Sequence, residues 1–165
     1  MEKTPKLRNM TSIYLLNNDK MLLLYRQGSK VVNNVWIGSA GGHFEEYELN
    51  DPKACVLREL KEELAITEDM LSDLQLRYIT MRKTNSEIRQ NYYFFANLKN
   101  ASQMELASDE GILQWFKLDE LSKLEMPLSA KLMIEHYLAT GRHNHKVYVG
   151  VTDDLKGVFT ELPET

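Results

Sequence analysis

The sequence has one cysteine, Cys55, so no disulfide can form within the chain, and nothing around it resembles a thiolate metal site. It has no run of about 18 apolar residues of the kind that spans a bilayer. It has no basic surplus either: 20 Lys and Arg stand against 24 Asp and Glu, a net charge of −4, which argues against a nucleic-acid polymer as partner. Met1–Met10 is polar, and no apolar stretch follows a basic start as it would in a secretion signal. These absences predict a soluble, cytoplasmic protein with no membrane partner. Small anionic ligands stay open, because local positive charge or a bound cation overrides the net sign.

What is present suits a single domain over residues 1–165: the chain is 43% hydrophobic, enough for a sizeable core. Met10–Leu16 and Met21–Tyr25 are apolar runs around Asn17-Asn18-Asp19-Lys20 and predict a β-hairpin. A polar loop, Gly28–Asn34, leads to a third strand that starts at Val35-Trp36-Ile37 and runs into Gly41-Gly42. At Asp51 the period changes. Asp51 suits an N-cap and Pro52 the first helical position, and Ala54, Leu57, Leu60 and Leu64 form an apolar stripe. Thr67–Asp73 reads as a connection, Leu74–Met81 and Ile88–Leu98 as strands joined by a turn at Lys83–Glu87. Ile112–Leu118 is a further strand, followed by a turn of helix at Asp119–Ser122. Ser129–Leu138 is a second helix with Ala130, Met133, Ile134, Tyr137 and Leu138 inward and Gly141 as its stop. Lys146–Val151 and Val158–Leu162 predict a C-terminal hairpin whose edge suits a homodimer. Strands interrupted by two helices predict a layered, mixed α/β fold.

The chemistry concentrates in Gly41-Gly42-His43-Phe44-Glu45-Glu46-Tyr47-Glu48 and Arg58-Glu59-Leu60-Lys61-Glu62-Glu63-Leu64. On a helix, Glu59, Glu62 and Glu63 stand at i, i+3 and i+4, neighbours on one face. Like charges so placed cost roughly 0.2–0.5 kcal/mol per pair in solvent and more in a cleft, where the dielectric falls. A hard divalent cation reverses that sign, and magnesium takes oxygen ligands while leaving room for water and phosphates. Arg58 is placed to hold a carboxylate, and the glycine pair lets backbone approach a metal or a phosphate. A glutamate-rich face alone is what an ordinary solvated helix carries; the conjunction with Gly-Gly, Glu48 and Arg-Glu-Leu is specific.

In these residues the chain resembles the Nudix (MutT-like) hydrolases. Their signature runs Gly, five residues, Glu, seven residues, Arg-Glu-apolar, one residue, Glu-Glu, one residue, Gly-apolar. Gly42, Glu48, Arg58, Glu59, Leu60, Glu62, Glu63 and Ile66 match in order. Trp36 ahead of the box, and Gln114-Trp115-Phe116 with Leu118-Asp119-Glu120-Leu121 after it, extend the likeness over roughly residues 10 to 140. The pattern departs at three places. Nine residues separate Glu48 from Arg58, Ala65 replaces the last glycine, and Ala40 stands where proline is frequent. These bear on substrate geometry more than on metal ligands, since loop insertions are tolerated at little cost.

The resemblance implies an α/β/α sandwich around a mixed sheet and a box helix that binds Mg²⁺ or Mn²⁺. It implies Glu59 and Glu63 as ligands, then Glu62 and the Gly42 carbonyl, with Arg58 orienting a glutamate and Glu48 supporting the loop or the residues around the ligands. It implies water attack on a phosphorus of a small nucleotide: a nucleoside triphosphate or other nucleoside diphosphate derivative, with an oxidised purine such as 8-oxo-dGTP among the candidates. An ADP-ribose-type nucleotide sugar and a non-catalytic nucleotide sensor are the alternatives, the latter disfavoured by the intact glutamates. The general base is either a box glutamate or Glu110, ahead of Glu105 and Asp109. Gly41, Gly42, His43, Arg82 and Arg89 are expected to meet substrate. Tyr92–Phe95 is expected to be mostly core, and His143 and His145 surface. Met126-Pro127 resembles the segment that contacts the base in oxidised-guanine triphosphatases, but Leu128 and Ser129 follow it where an asparagine can stand.

Overall fold

A computed structural model describes residues 3–27 and 34–165. The first hairpin forms as expected, from β1 (Lys6–Asn17) and β2 (Lys20–Arg26), with Asn17 opposite Lys20 and Asn18 taking the left-handed turn at φ 56°. The loop expected at 28–34 falls, except for Asn34, outside the described residues.

The third strand is two strands. β3 (Val35–Ile37) pairs with β2, whereas β4 (Ala40–His43) pairs with β1. The reason is Ser39, a buried hydroxyl that donates to the Leu22 carbonyl at 2.6 Å and accepts from the Leu15 N–H at 3.0 Å. Gly38 and Ser39 thus carry the chain from one neighbour to the other and set Gly41-Gly42 against β1.

A 3₁₀ turn, Glu46–Glu48, leads to α1 (Pro52–Leu64), where Asp51 accepts the Ala54 N–H at 3.0 Å and Pro52 takes the first position. The inner face of α1 is Cys55, Val56, Leu60 and Leu64, with Leu57 packed at its margin. Ala54, expected on that stripe, lies at its edge, because the β-branched Val56 and the small Cys55 meet the sheet instead. Burying a residue such as Leu60 is worth roughly 1.5–3 kcal/mol. The helix ends at Ala65, left-handed at φ 55°, a conformation that glycine adopts without strain.

β5 (Leu71–Lys83) starts three residues before the expected strand. Bulges after Ser72 and Leu76, with Asp73 at φ 52°, interrupt the alternation that sequence reading relies on. β6 (Glu87–Leu98) returns antiparallel to β5 and runs parallel to β1. β7 (Gly111–Lys117) pairs with β2, and a 3₁₀ stretch, Leu118–Lys123, leads to α2 (Leu128–Ala139). Gly141 follows the helix after Thr140 and begins a 3₁₀ turn; a side chain there would overlap the Tyr78 hydroxyl, so the glycine serves packing. β8 (Tyr148–Thr152) and β9 (Gly157–Glu161) form the C-terminal hairpin, β8 parallel to β5.

Among the described residues the sheet has nine strands, ordered β3-β2-β1-β6-β5-β8-β9, with β4 on β1 and β7 on β2. Alternation along β1 settles the layering. Ile13 and Leu15 pack with Val56, Leu60 and Leu64 of α1, whereas Tyr14 packs with Met133, Ile134 and Tyr137 of α2. The helices therefore cover opposite faces of a mixed sheet, the α/β/α sandwich the resemblance implied. Among the described residues no helix is long and apolar enough to cross a membrane.

Candidate active site

Arg58, on the exposed side of α1, organises the acidic cluster. Its Nε and Nη2 donate to the two oxygens of Glu48 at 2.7 and 2.9 Å, a bidentate pair, and Nη2 also reaches the His43 carbonyl at 3.1 Å. Nη1 donates to Glu59 Oε1 at 3.0 Å and Glu62 Oε2 at 3.1 Å. Glu48 is only 1% exposed and also accepts the Glu45 N–H at 2.9 Å. The Arg58 guanidinium holds the Glu48 carboxyl below its ordinary range, and Glu48 in turn keeps Arg58 charged. Sequence left Glu48 as a loop support; it anchors the helix to the loop that precedes it.

Glu59 and Glu63 turn toward the glycine pair. The Gly41 N–H donates to Glu63 Oε2 at 3.0 Å, and a Cβ on Gly42 would collide with the Glu59 carboxylate. Only glycine leaves that carboxylate its place. Both carboxyls also face Glu110, which lies in the bend before β7. There its N–H donates to Ser108 Oγ at 3.1 Å and its carbonyl accepts the Gln27 N–H at 3.2 Å. A side chain on Gly111 would overlap the Tyr25 carbonyl, so glycine lets this bend close on β2. Glu59, Glu63, Glu110 and the Gly41-Gly42 backbone line one cavity of about 570 Å³.

Crowding shows in the proton affinities. Burial, then the charges of Glu110 and Glu59, push the Glu63 carboxyl up to about 8, against the bond from Gly41. Burial also raises Glu59, opposed by Arg58 and reinforced by Glu62 and Glu110. A carboxyl whose folded pKa lies above its unfolded value of about 4.5 binds a proton more tightly when folded, so it loses stability as pH rises. Metal-free protein should therefore melt at falling temperature between about pH 5 and pH 8, with Glu63→Gln showing the shallower slope. Melts at several pH values in chelator check this, and equal slopes would dismiss the assignment.

The donors fit a hard divalent cation: they are oxygens, and their mutual repulsion is what such an ion relieves. As the side chains stand, no three His, Cys, Asp or Glu groups among the described residues are arranged to hold a metal. Arg58 engages one oxygen each of Glu59 and Glu62, and Gly41 one oxygen of Glu63, so the second oxygen of each carboxylate is left for an ion while these bonds orient the group.

A NUDIX domain matches residues 6–137, most of the chain. The chain belongs to the NUDIX family. Several solved structures share its fold. The MutT protein of Bacillus halodurans is 24% identical with TM-score 0.69, covering 96% of this chain and 99% of that one. The E. coli ORF135 protein is 18% identical with TM-score 0.66, covering 85% and 94%. A C. elegans Ap4A hydrolase is 18% identical with TM-score 0.63, covering 84% and 99%. No curated protein matches. The family is one of pyrophosphohydrolases that typically use divalent metals on small nucleotides.

The structure brings most of the expected residues together. Gly41, Gly42, His43, Glu59, Glu63, Arg82, Arg89 and Glu110 all line the cavity. Arg58 and Glu62 do not; Glu62 is 59% exposed at the outer end of the Arg58 cluster. Glu105, Asp109, His143 and His145 are exposed and lie outside it. Cys55 is buried against Thr11 at 3.3 Å, and burial pushes its thiol up to about 11, so it stays protonated and inert. The reading from sequence missed Arg8, Arg26 and Asn91. Arg8 precedes the strand that the sequence predicts from Met10, whereas β1 begins at Lys6 and Arg8, Met10, Ser12 and Tyr14 alternate onto the cavity face.

Proposed function

We propose that this Nudix protein hydrolyses a phosphoanhydride in a nucleoside triphosphate or a related nucleoside diphosphate derivative, with Mg²⁺ or Mn²⁺ bound by Glu59, Glu63 and the Gly42 carbonyl. The observation that carries the reading is the convergence of Glu59, Glu63 and Glu110 with the glycine backbone on one cavity. The ion supplies charge neutralisation on the phosphates and lowers the pKa of water. Arg58 keeps Glu59 on the cavity side of α1 and ties α1 to the Glu48 loop. Glu62 serves at the outer rim.

Glu110 enters from the opposite wall, on a bend held by Gln27 and Ser108, and is the preferred general base. Arg26, also on the wall, balances part of the acidic charge around Glu63 and stands ready for a phosphate oxygen. Leu24 and Ile37 give the cavity apolar surface, while Asn91 and the rings of Tyr14 and Tyr93 form a floor suited to a base or sugar. Leu128 and Ser129, which follow Met126-Pro127 where an asparagine can stand in oxidised-guanine triphosphatases, line the cavity too, with the Ser129 hydroxyl engaged by Thr152 at 2.8 Å.

The test is a nucleotide panel with Mg²⁺, read by mass analysis of products. Monophosphate plus pyrophosphate identifies a triphosphate substrate, and two monophosphates a nucleotide sugar. Nucleotide binding without turnover across the whole panel would instead make the protein a sensor and end the catalytic reading.

A further inference from the structure

Three arginines stand in one row across three adjacent strands. Arg8 on β1 is the register partner of Arg89 on β6, and Arg89 is the partner of Arg82 on β5. All three point to the α2 face, and all three line the cavity. With neighbouring strands about 4.8 Å apart, the row extends for about 10 Å from Arg8 to Arg82. It runs away from the glutamates: β4, which carries Gly42, pairs with β1 on the side opposite β6.

The charges in this row are not balanced. Arg8 and Arg89 share Glu87, at 3.8 and 3.1 Å, and Arg82 pairs with Asp154 at 2.7 Å. Neither carboxylate lines the cavity; Arg8 also bonds the His43 ring at 3.2 Å, with Glu45 nearby on the wall, whereas among the described residues Arg82 and Arg89 meet no carboxylate that lines the cavity. Asp154 is 86% exposed, which leaves its grip on Arg82 weak. The far end of the row is roofed by the start of α2: Pro127, Leu128, Ser129 and Ala130 line the cavity, and no side chain caps that helix end. Ser129 is held by Thr152, one residue beyond Val151, the register partner of Met81 next to Arg82. The first N–H groups of α2 thus add positive potential where the arginines already supply it.

A nucleotide whose only phosphates are bound at the glutamate end leaves this row facing water. We infer that the cavity takes a nucleotide bearing a second phosphate, remote from the bond that is cut, seated between Arg82, Arg89 and the start of α2. The inference rests on the nucleotide reading above and names the substrate more narrowly. The remote phosphate has two chemical sources: a monoester on the ribose, or the far part of a longer polyphosphate chain.

Binding to metal-free protein separates this from catalysis. Calorimetry in chelator compares the 5′-monophosphates and 3′,5′-bisphosphates of the four common nucleosides, and a dinucleoside tetraphosphate. Charge-assisted bonds to the extra phosphate should make one bisphosphate, or the tetraphosphate, at least about tenfold tighter than its monophosphate. Arg82→Gln and Arg89→Gln should each reduce that ratio severalfold. Arg82 is one-third exposed with a solvated partner, so its variant is expected to keep the fold. A gain confined to bisphosphates assigns the ribose ester, and one confined to the tetraphosphate assigns the chain. Ratios near one for every probe, or ratios that neither substitution alters, would overturn the inference. Failure of Mg²⁺-dependent turnover alone would leave these ratios readable and count against the catalytic reading only.

Discussion

Glu63→Gln is expected to lower turnover by at least about a thousandfold while the protein remains folded. Ionised, Glu63 offers a partly buried carboxylate on the cavity wall to the cation, and loss of a well-placed ion removes several kcal/mol of transition-state stabilisation. The amide keeps the shape and can still accept the Gly41 N–H at the same place. It also removes a carboxyl that is costly to ionise when buried, so the melting temperature at pH 8 should hold or rise. Glu62→Gln is the contrast: that carboxylate is 59% exposed and outside the cavity, so its loss should cost far less turnover. Steady-state rates with thermal melts on both variants check the pair. Equal losses would mean that Glu62 swings inward on ligation and that the present ranking is wrong.

Arg58→Met should be the most destabilising single change in the site. It leaves Glu48, 1% exposed, with its backbone bond to Glu45 but without the bidentate partner. Stranding a buried charge in this way costs about 3–5 kcal/mol, a drop on the order of 10 °C for a chain of this size. Arg58→Lys should recover only part of the loss, because one ammonium cannot reproduce two parallel bonds to Glu48 and a third to the His43 carbonyl. Glu48→Gln in the same background should be less harmful than Arg58→Met alone, since it removes the stranded charge. Denaturation midpoints of the single and double variants give the coupling directly. Full stability in Arg58→Met would show the cluster to be a solvated one.

The helices, the first hairpin and the glutamate spacing were legible because they follow local rules: caps at Asp51 and Pro52, a helical stripe, a turn at Asn18. What was not legible depends on distant partners. Val35–Gly42 read as one strand because nothing in its own pattern reveals that Ser39 bonds Leu22 and Leu15 and hands the chain from β2 to β1. Glu62 and Glu63 are adjacent and chemically alike, yet one is solvated and the other faces Glu110, because the packing of Val56, Leu60 and Leu64 on the sheet fixes the rotation of α1. The arginine row is invisible in sequence for the same reason: Arg8, Arg82 and Arg89 come into line only through the register of β1, β6 and β5. The sequence marks Arg82 and Arg89 as residues that meet substrate, but their alignment with Arg8 is a property of the sheet.

Manganese binding measured by calorimetry at pH 8, on the wild-type protein and on a Glu59→Gln, Glu63→Gln double variant, reaches the centre of the account. Saturable uptake by the wild type, weakened at least about a hundredfold in the variant, is the predicted result. The same affinity in both proteins would contradict it, because the ion would then be held by something other than the carboxylates that crowd the cavity.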